Sequence, residues 1–333
     1  MKYRHRVMGL LSLLAVITYL DRVCISVAGP RMQDQLHIGP AAWGWVTSVF
    51  FLSYGAFEIP SGALGDRIGA RKVLARIVLW WSAFTSLTGA VSNFYVLLLT
   101  RFCFGVGEAG VFPNASTVIS RWIPPATRGR AFGVFNLSSQ LGGMIAPLLV
   151  VPIQARYGWR ASFFCFGFLG VIWAAVWYAW FRDFPSEKSE VKQAERDEIG
   201  LWVPRPHRGT EWGVPLRSGN LWILMTLTAC YACPYFFFQN WLPTYLVKGR
   251  GYTEKDLWLS ALPFVVGTCG NLLGGVASDG LVRKRGLEAG RRIAGVITPQ
   301  RKPDTSSVNL IAALHFTAVL IRVRLLKAEP ASR

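Results

Sequence analysis

Charged residues are scarce in this chain: Asp, Glu, Lys and Arg make up 16% of its 333 residues, where soluble proteins carry about a quarter. Acids are rarer still, 18 against 36 Lys and Arg, so any carboxylate inside an apolar run stands out. The histidines, His5, His37, His207 and His315, fall at helix ends, in loops or in the tail. They gather with no Asp or Cys into a reactive constellation, which argues against an enzyme. The cysteines (Cys24, Cys103, Cys165, Cys230, Cys233 and Cys269) lie inside apolar runs rather than loops, which argues against a disulfide framework. Cys230-x-x-Cys233 lacks the second pair a metal site needs, so packing is the expected use of these thiols. No cofactor and no metal are expected.

Apolar residues take up the space. The AVILMFWYC set makes up 52% of the chain, with 14 Trp, 21 Phe and 33 Gly, a composition that fits a bilayer protein with interfacial aromatics and glycine within its helices. About 20 mostly apolar residues cross a membrane as a helix. Stretches of that kind run Val7–Ala28, Gly44–Leu64, Val73–Val91, Phe94–Ile119, Ala131–Ile153, Ala161–Phe181, Asn220–Val247 and Leu257–Ala277. Met1–Leu20 has the basic start and apolar body of a signal peptide, but the equally apolar spans that follow make it an uncleaved first helix.

The net charge of +18 would suggest nucleic acid in a soluble protein. Here the basic residues fall in short gaps between spans, with no aromatic-interleaved stripe, so no nucleic-acid partner is expected. Lys and Arg crowd the N-terminus, the gaps after spans two, four and six, and the stretch after span eight. The opposite gaps hold only Arg31, Arg156, Arg160, Lys248, Arg250 and Lys255. Positive charge marks the cytoplasmic side, which puts the N-terminus there. The partner implied is the lipid bilayer of the cell's inner membrane, and a monomer is expected.

Asp21 and Arg22 sit in the middle of span one, beyond reach of either surface. Each ionised group at that depth costs about 2.5–3.5 kcal/mol by insertion scales and persists where it is paired or faces an aqueous cavity. Adjacent helical residues project about 100° apart, so the two cannot simply satisfy each other. One reading has Arg22 receiving a substrate carboxylate in bidentate fashion while Asp21 takes and releases a proton; the other is a structural ion pair to a neighbouring helix. Span four repeats the theme. Arg101 and Glu108 are seven residues apart and share one face, and a carboxyl removed from water favours its neutral form. Arg101 also fits an interfacial anchor near its helix end. Tyr54, Gln140 (after Asn136, Ser138 and Ser139) and Asn240 supply hydroxyl and amide groups at matching depth, suited to a polyhydroxylated acid; helix packing uses such groups as well.

The segment "GALGDRIGARK" (Gly62–Lys72) follows span two, and "GVASDGLVRK" (Gly275–Lys284) follows span eight. In both, an aspartate lies four residues after the glycine and a basic residue five after the aspartate. Two related halves joined by a polar linker is a common transporter plan. The first of these segments resembles the cytoplasmic signature of the major facilitator superfamily. "YLDR" (Tyr19–Arg22), "RFCFGVGEAGVFPN" (Arg101–Asn114), "YGWRASFF" (Tyr157–Phe164) and "NWLPTYLVKGRG" (Asn240–Gly251) narrow the resemblance to its anion:cation symporter branch, which includes sugar-acid and phthalate carriers.

The resemblance implies an all-α polytopic fold in which a complete six-helix N-terminal bundle (1–181) is followed by a linker (182–219) and the first two helices of a second bundle (220–297). It covers roughly Arg6 to Ile297. The basic tail 298–333 lies outside it, and a chain truncated or frameshifted after about Ile297 is expected. The resemblance further implies proton-coupled symport of a small organic anion, a sugar acid or an aromatic carboxylate, by alternating access; a non-transporting remnant of such a carrier is the alternative. Asp21 and Glu108 match the proton-coupling acids of the branch, and Arg22 and Arg101 its charged cavity residues. Tyr54 and Gln140 match substrate contacts, with Asn240 a further candidate. Asp66 with Arg67, Arg71 and Lys72, and its counterpart Asp279 with Arg283, match the cytoplasmic latch, in which the carboxylate engages a helix end and nearby arginines. Glu58 is an extra acid where sugar-acid members often have an amide.

Overall fold

The computed structural model describes residues 2–200 and 217–270. Asp279, Arg283, the far end of span eight and the tail lie outside the described residues. Nine α-helices are bounded within them: α1 (Tyr3–Gln35), α2 (Pro40–Ile68), α3 (Ala70–Ala90), α4 (Phe94–Glu108), α5 (Val111–Trp122), α6 (Arg128–Tyr157), α7 (Trp159–Trp180), α8 (Gln193–Ile199) and α9 (Gly219–Thr244). Short 3₁₀ turns at Pro125–Thr127 and Pro185–Glu187 link them. A π-turn at Tyr245–Gly249 and a 3₁₀ segment at Glu254–Ala261 follow α9.

Among the described residues, six helical stretches are long and apolar enough to cross a membrane: Tyr3–Gln35, Ala70–Ala90, Phe94–Trp122, Pro125–Tyr157, Trp159–Trp180 and Leu221–Gly249. The second expected span, α2, is not among them. Its 29 residues reach about 43 Å at 1.5 Å per residue, ample for a bilayer, but Ser53, Tyr54, Glu58 and Ser61 dilute its hydropathy. The eighth expected span begins late, because Leu257–Ala261 belongs to the 3₁₀ segment; the chain is α-helical again over 262–270. The fourth expected span is two helices, α4 and α5, broken at Ala109–Gly110.

That break has a local cause. Gly110 adopts φ +91°, a left-handed conformation that L side chains rarely take. A Cβ there would also stand 2.4 Å from the side chain of Ser61. The Asn114 amide then donates to the Gly110 carbonyl at 2.7 Å and to the Ser61 carbonyl at 3.3 Å, satisfying groups the break releases.

Contacts divide the chain into two compact units. The first comprises Met1–Gly209 with Gln239–Ala261, and the second Thr210–Phe238 with the residues from Leu262 onward. This differs from the expected boundary at residue 220. Gln239, Asn240, Thr244 and Leu257 are buried in the first unit, so the end of α9 and the segment after it pack with the N-terminal helices.

Within the first unit α1 is central, packed against α6 and α7, and every residue from Leu20 to Pro30 is buried. Such a helix is shielded from lipid all round its middle, so its polar positions meet protein. Close approach of α6 depends on Gly142, where a Cβ would lie 2.4 Å from the Val16 carbonyl oxygen. At the N-terminal end of α1 an aromatic stack closes the core. Tyr3 lies on Trp180 at 4.7 Å and on Trp122 at 5.5 Å, and Trp177 stacks on Phe181 at 3.9 Å. The helix start is capped from outside: Glu195 of α8 accepts the backbone N–H groups of Tyr3 at 3.0 Å and Arg4 at 2.9 Å, placing negative charge at the positive end of the helix dipole. Packing describes Cys24, which is buried, whereas Cys165, Cys230, Cys233 and Cys269 are exposed.

Candidate functional site

The charged residues of α1 and α4 meet in the middle of the first unit. Arg22 Nε donates to Glu108 Oε1 at 2.8 Å, with side chains 7% and 0% exposed. The aromatic residues of α1 and α2 enclose the guanidinium: its carbon is 4.5 Å from the ring centre of Tyr54, 5.5 Å from Phe50 and 5.6 Å from Tyr19. Such faces attract a desolvated cation. Arg22 Nη2 nevertheless has no partner among the described residues, and Glu108 Oε2 is likewise unbonded.

Asp21 points elsewhere, as its offset around the helix requires. Neither of its carboxyl oxygens has a hydrogen-bond partner among the described residues. It lies beside Trp81 of α3, whose indole N–H does not meet hydrogen-bond geometry with it, and it interacts electrostatically with Arg101 and Glu108. The two readings of the Asp21–Arg22 pair thus separate: Arg22 is in a structural ion pair, and Asp21 is in none.

Arg101 is 3% exposed and so is packed within the protein. Its guanidinium lies over Phe104 at 4.3 Å and Phe50 at 5.0 Å and interacts electrostatically with Glu108 and Asp21. The shared face expected for Arg101 and Glu108 is present, with Glu108 as the last residue of α4 before the break.

The remaining polar candidates divide. Tyr54 belongs to the site through its ring over Arg22, and its hydroxyl donates to Glu58 Oε1 at 3.4 Å. Asn240 accepts from Ser26 Oγ at 3.5 Å, one turn along α1 from Arg22. Gln140 is half-buried on α6, two residues before Gly142. Asn136, Ser138 and Ser139 donate to carbonyls of their own helix at Phe132, Val134 and Phe135, a local bond that leaves them little for a ligand.

At the other end of α2, Asp66, Arg67 and Lys72 are exposed. Asp66 accepts from Thr117 Oγ1 at 3.4 Å, and among the described residues it pairs with no arginine. Asp183, just after α7, makes the contacts expected of it. Its carboxylate takes the Arg71 backbone N–H at 3.2 Å and the Arg121 guanidinium at 3.2 Å, while Arg71 Nε donates to the Tyr178 carbonyl at 2.9 Å. Sequence reasoning passed over Asp183 because it stands among other linker charges, with only its position at a helix end to mark it. The far end of α1 was missed likewise. There Arg31 pairs with Glu254 and donates to the Gln154 carbonyl, Asp34 pairs with Lys248 at 2.8 Å, and Gln33 donates to Thr244 at 3.2 Å.

A buried, incompletely paired set of two acids and two bases at the centre of a helical unit invites comparison with known carriers. The family model described as Major Facilitator Superfamily matches residues 11–298. The chain belongs to that superfamily. It is 35% identical over 288 residues to a probable sulfoacetate transporter of Cupriavidus necator, covering 86% of this chain and 67% of the relative. It is 30% identical over 314 residues to the hexuronate transporter of Bacillus subtilis, covering 93% and 70%. A bacterial homolog of the human lysosomal transporter Spinster, solved inward-facing and unoccupied, aligns with TM-score 0.70 at 22% identity, over 96% of this chain and 74% of that one; this likeness concerns the fold. Membership makes this superfamily protein a multi-pass membrane protein of a transporter family and not an enzyme.

Proposed function

We propose that this protein is a proton-coupled symporter that carries a small organic anion, a sugar acid or a related carboxylate, across the inner membrane by alternating access. It acts as a monomer with its N-terminus in the cytoplasm. The observation that carries the reading is Arg22, a buried guanidinium held over three aromatic rings with one nitrogen still unbonded. An anion entering beside it meets a donor that protein contacts leave unsatisfied, and a guanidinium matches a carboxylate in two-point geometry. The relatives named for sulfoacetate and hexuronate transport support an anion as cargo.

Protons enter through the acids. Asp21, with both oxygens unbonded, is free to take a proton from the outer side. A cargo carboxylate that displaces Glu108 from Arg22 leaves Glu108 without its base in a water-poor interior, where a carboxyl holds a proton. Arg101 keeps positive potential beside both acids. Cargo binding and protonation are thereby linked through one guanidinium, and release on the cytoplasmic side returns Glu108 to Arg22. Tyr54, Asn240 and Gln140 offer hydroxyl and amide groups to the body of the cargo. Asp66 and its basic neighbours, with Asp279 and Arg283 as the repeated counterpart, act at the cytoplasmic gate.

The experiment is uptake of radiolabelled glucuronate by proteoliposomes containing the 333-residue chain, with and without an imposed proton gradient. Accumulation above empty vesicles that collapses with the gradient is expected, and Asp21→Asn should retain exchange of anion while losing gradient-driven accumulation. Full proton-driven accumulation by that variant removes the role given to Asp21. Uptake no greater than that of empty vesicles, for glucuronate and sulfoacetate alike, defeats the reading.

A further inference from the structure

We infer that Glu58 is a specificity-determining residue of this site, and that with Arg22 and Tyr54 it selects a hydroxylated monocarboxylate over a small dianion. The inference rests on the anion-carrying reading above and narrows its cargo. Three observations lead to it. Glu58 follows Tyr54 by one turn of α2, and the Tyr54 hydroxyl donates to its carboxylate at 3.4 Å. The face of that tyrosine is 4.5 Å from the Arg22 guanidinium carbon, so one ring separates the cation from the carboxylate. Glu58 is half-buried, and among the described residues it pairs with no Lys, Arg or His.

A carboxylate accepts hydrogen bonds and cannot donate them. A cargo anchored by one carboxylate on Arg22 therefore meets, along the Tyr54 edge, an acceptor with spare lone pairs and a negative charge. A hydroxyl on the cargo satisfies that acceptor. A second anionic group is repelled by it. Glu58 takes no part in the proton step given to Asp21 and Glu108, so a second negative charge on the cargo at the Tyr54 edge meets its carboxylate. With charges separated by roughly 10 Å at an effective dielectric constant near 20, one such repulsion weakens binding about tenfold or slightly more.

The test compares kcat/KM for glucuronate, a hydroxylated monoanion, with that for sulfoacetate, a small dianion without hydroxyls, in proteoliposomes of the 333-residue chain. The wild-type protein should favour glucuronate by about tenfold or more. Glu58→Gln should bring the ratio toward parity, and Glu58→Asp should restore most of it; a merely structural role would lower both rates together and leave the ratio alone. A wild-type ratio that favours sulfoacetate, or a ratio unchanged by Glu58→Gln, overturns the inference and leaves anion transport standing. Transport of neither anion overturns both. Where Glu58→Gln fails to assemble, a wild-type ratio that favours sulfoacetate still overturns the inference.

Discussion

Replacing Glu108 by glutamine separates charge from hydrogen bonding at the centre of the protein. The amide oxygen can still accept from Arg22 Nε, which stands 2.8 Å from Glu108 Oε1, so the change removes negative charge and little else. It leaves a guanidinium only 7% exposed without its acid. The rings of Tyr19, Phe50 and Tyr54 offset part of that loss, by about 0.5–2 kcal/mol where a cation is desolvated. Breaking a buried ion pair by removing one partner costs about 3–5 kcal/mol, so Glu108→Gln should destabilise by about 1–4.5 kcal/mol once the aromatic contribution is taken off. Asp21→Asn is the internal control. It removes a buried charge that has no hydrogen-bonded base among the described residues, and it should cost under about 1 kcal/mol or stabilise. Reversible unfolding of the purified chain in mixed micelles titrated with dodecyl sulfate, followed by tryptophan fluorescence, measures both. Equal losses, or a larger loss for Asp21→Asn, would refute the division of the two acids into one that is paired and one that is not.

Gly110→Ala should destabilise by more than about 1 kcal/mol in the same assay, since the residue needs a positive φ and its Cβ would meet Ser61; a neutral result would show that the break closes over. Asp183→Ala should cost about 2 kcal/mol by removing hydrogen bonds from a charged acceptor, and Asp66→Ala much less; the reverse order would contradict the contacts at Arg71 and Arg121. Lys2 and Arg4 hold Glu198 below the ordinary glutamate range through hydrogen bonds. A lowered folded-state value contributes stability above the unfolded value, near about 4.3, that is lost as pH falls through the folded one. Hydrogen-exchange protection of the amides of α8 should therefore be full at neutral pH and decline on acidification below about 4.3; protection independent of pH would show that the ion pairs do not hold α8.

Much of this arrangement was legible because membrane burial makes charge conspicuous. Asp21, Arg22, Arg101 and Glu108 could be picked out as costly residues within apolar runs, and the structure brings all of them together. Their partners were less readable. Helical offset showed that Asp21 and Arg22 diverge, but only the tertiary fold, which brings the end of α4 to face Arg22, makes Glu108 its acid. The rings around Arg22 gave no separate signal, since aromatics are spread over the whole chain. The α4–α5 break was hidden for a similar reason: Gly110 and Pro113 read as packing and bending residues, and positive φ has no sequence mark distinct from glycine itself. Asp66 drew attention through its repeat, whereas Asp183, which makes the helix-end contacts, belongs to no repeat.

The shielding of α1 on all sides has a consequence for synthesis. Arg22 leaves the ribosome 86 residues before Glu108, an interval of roughly 4 to 17 s at ordinary translation rates. During that time the segment must partition into the bilayer, or wait beside the translocon, with two charges and no Glu108 to pair with Arg22. Its mean hydropathy, 1.8, is the highest of the candidate spans. That surplus of aliphatic side chains lets a nascent segment bear two charged groups before the acid that pairs with Arg22 exists.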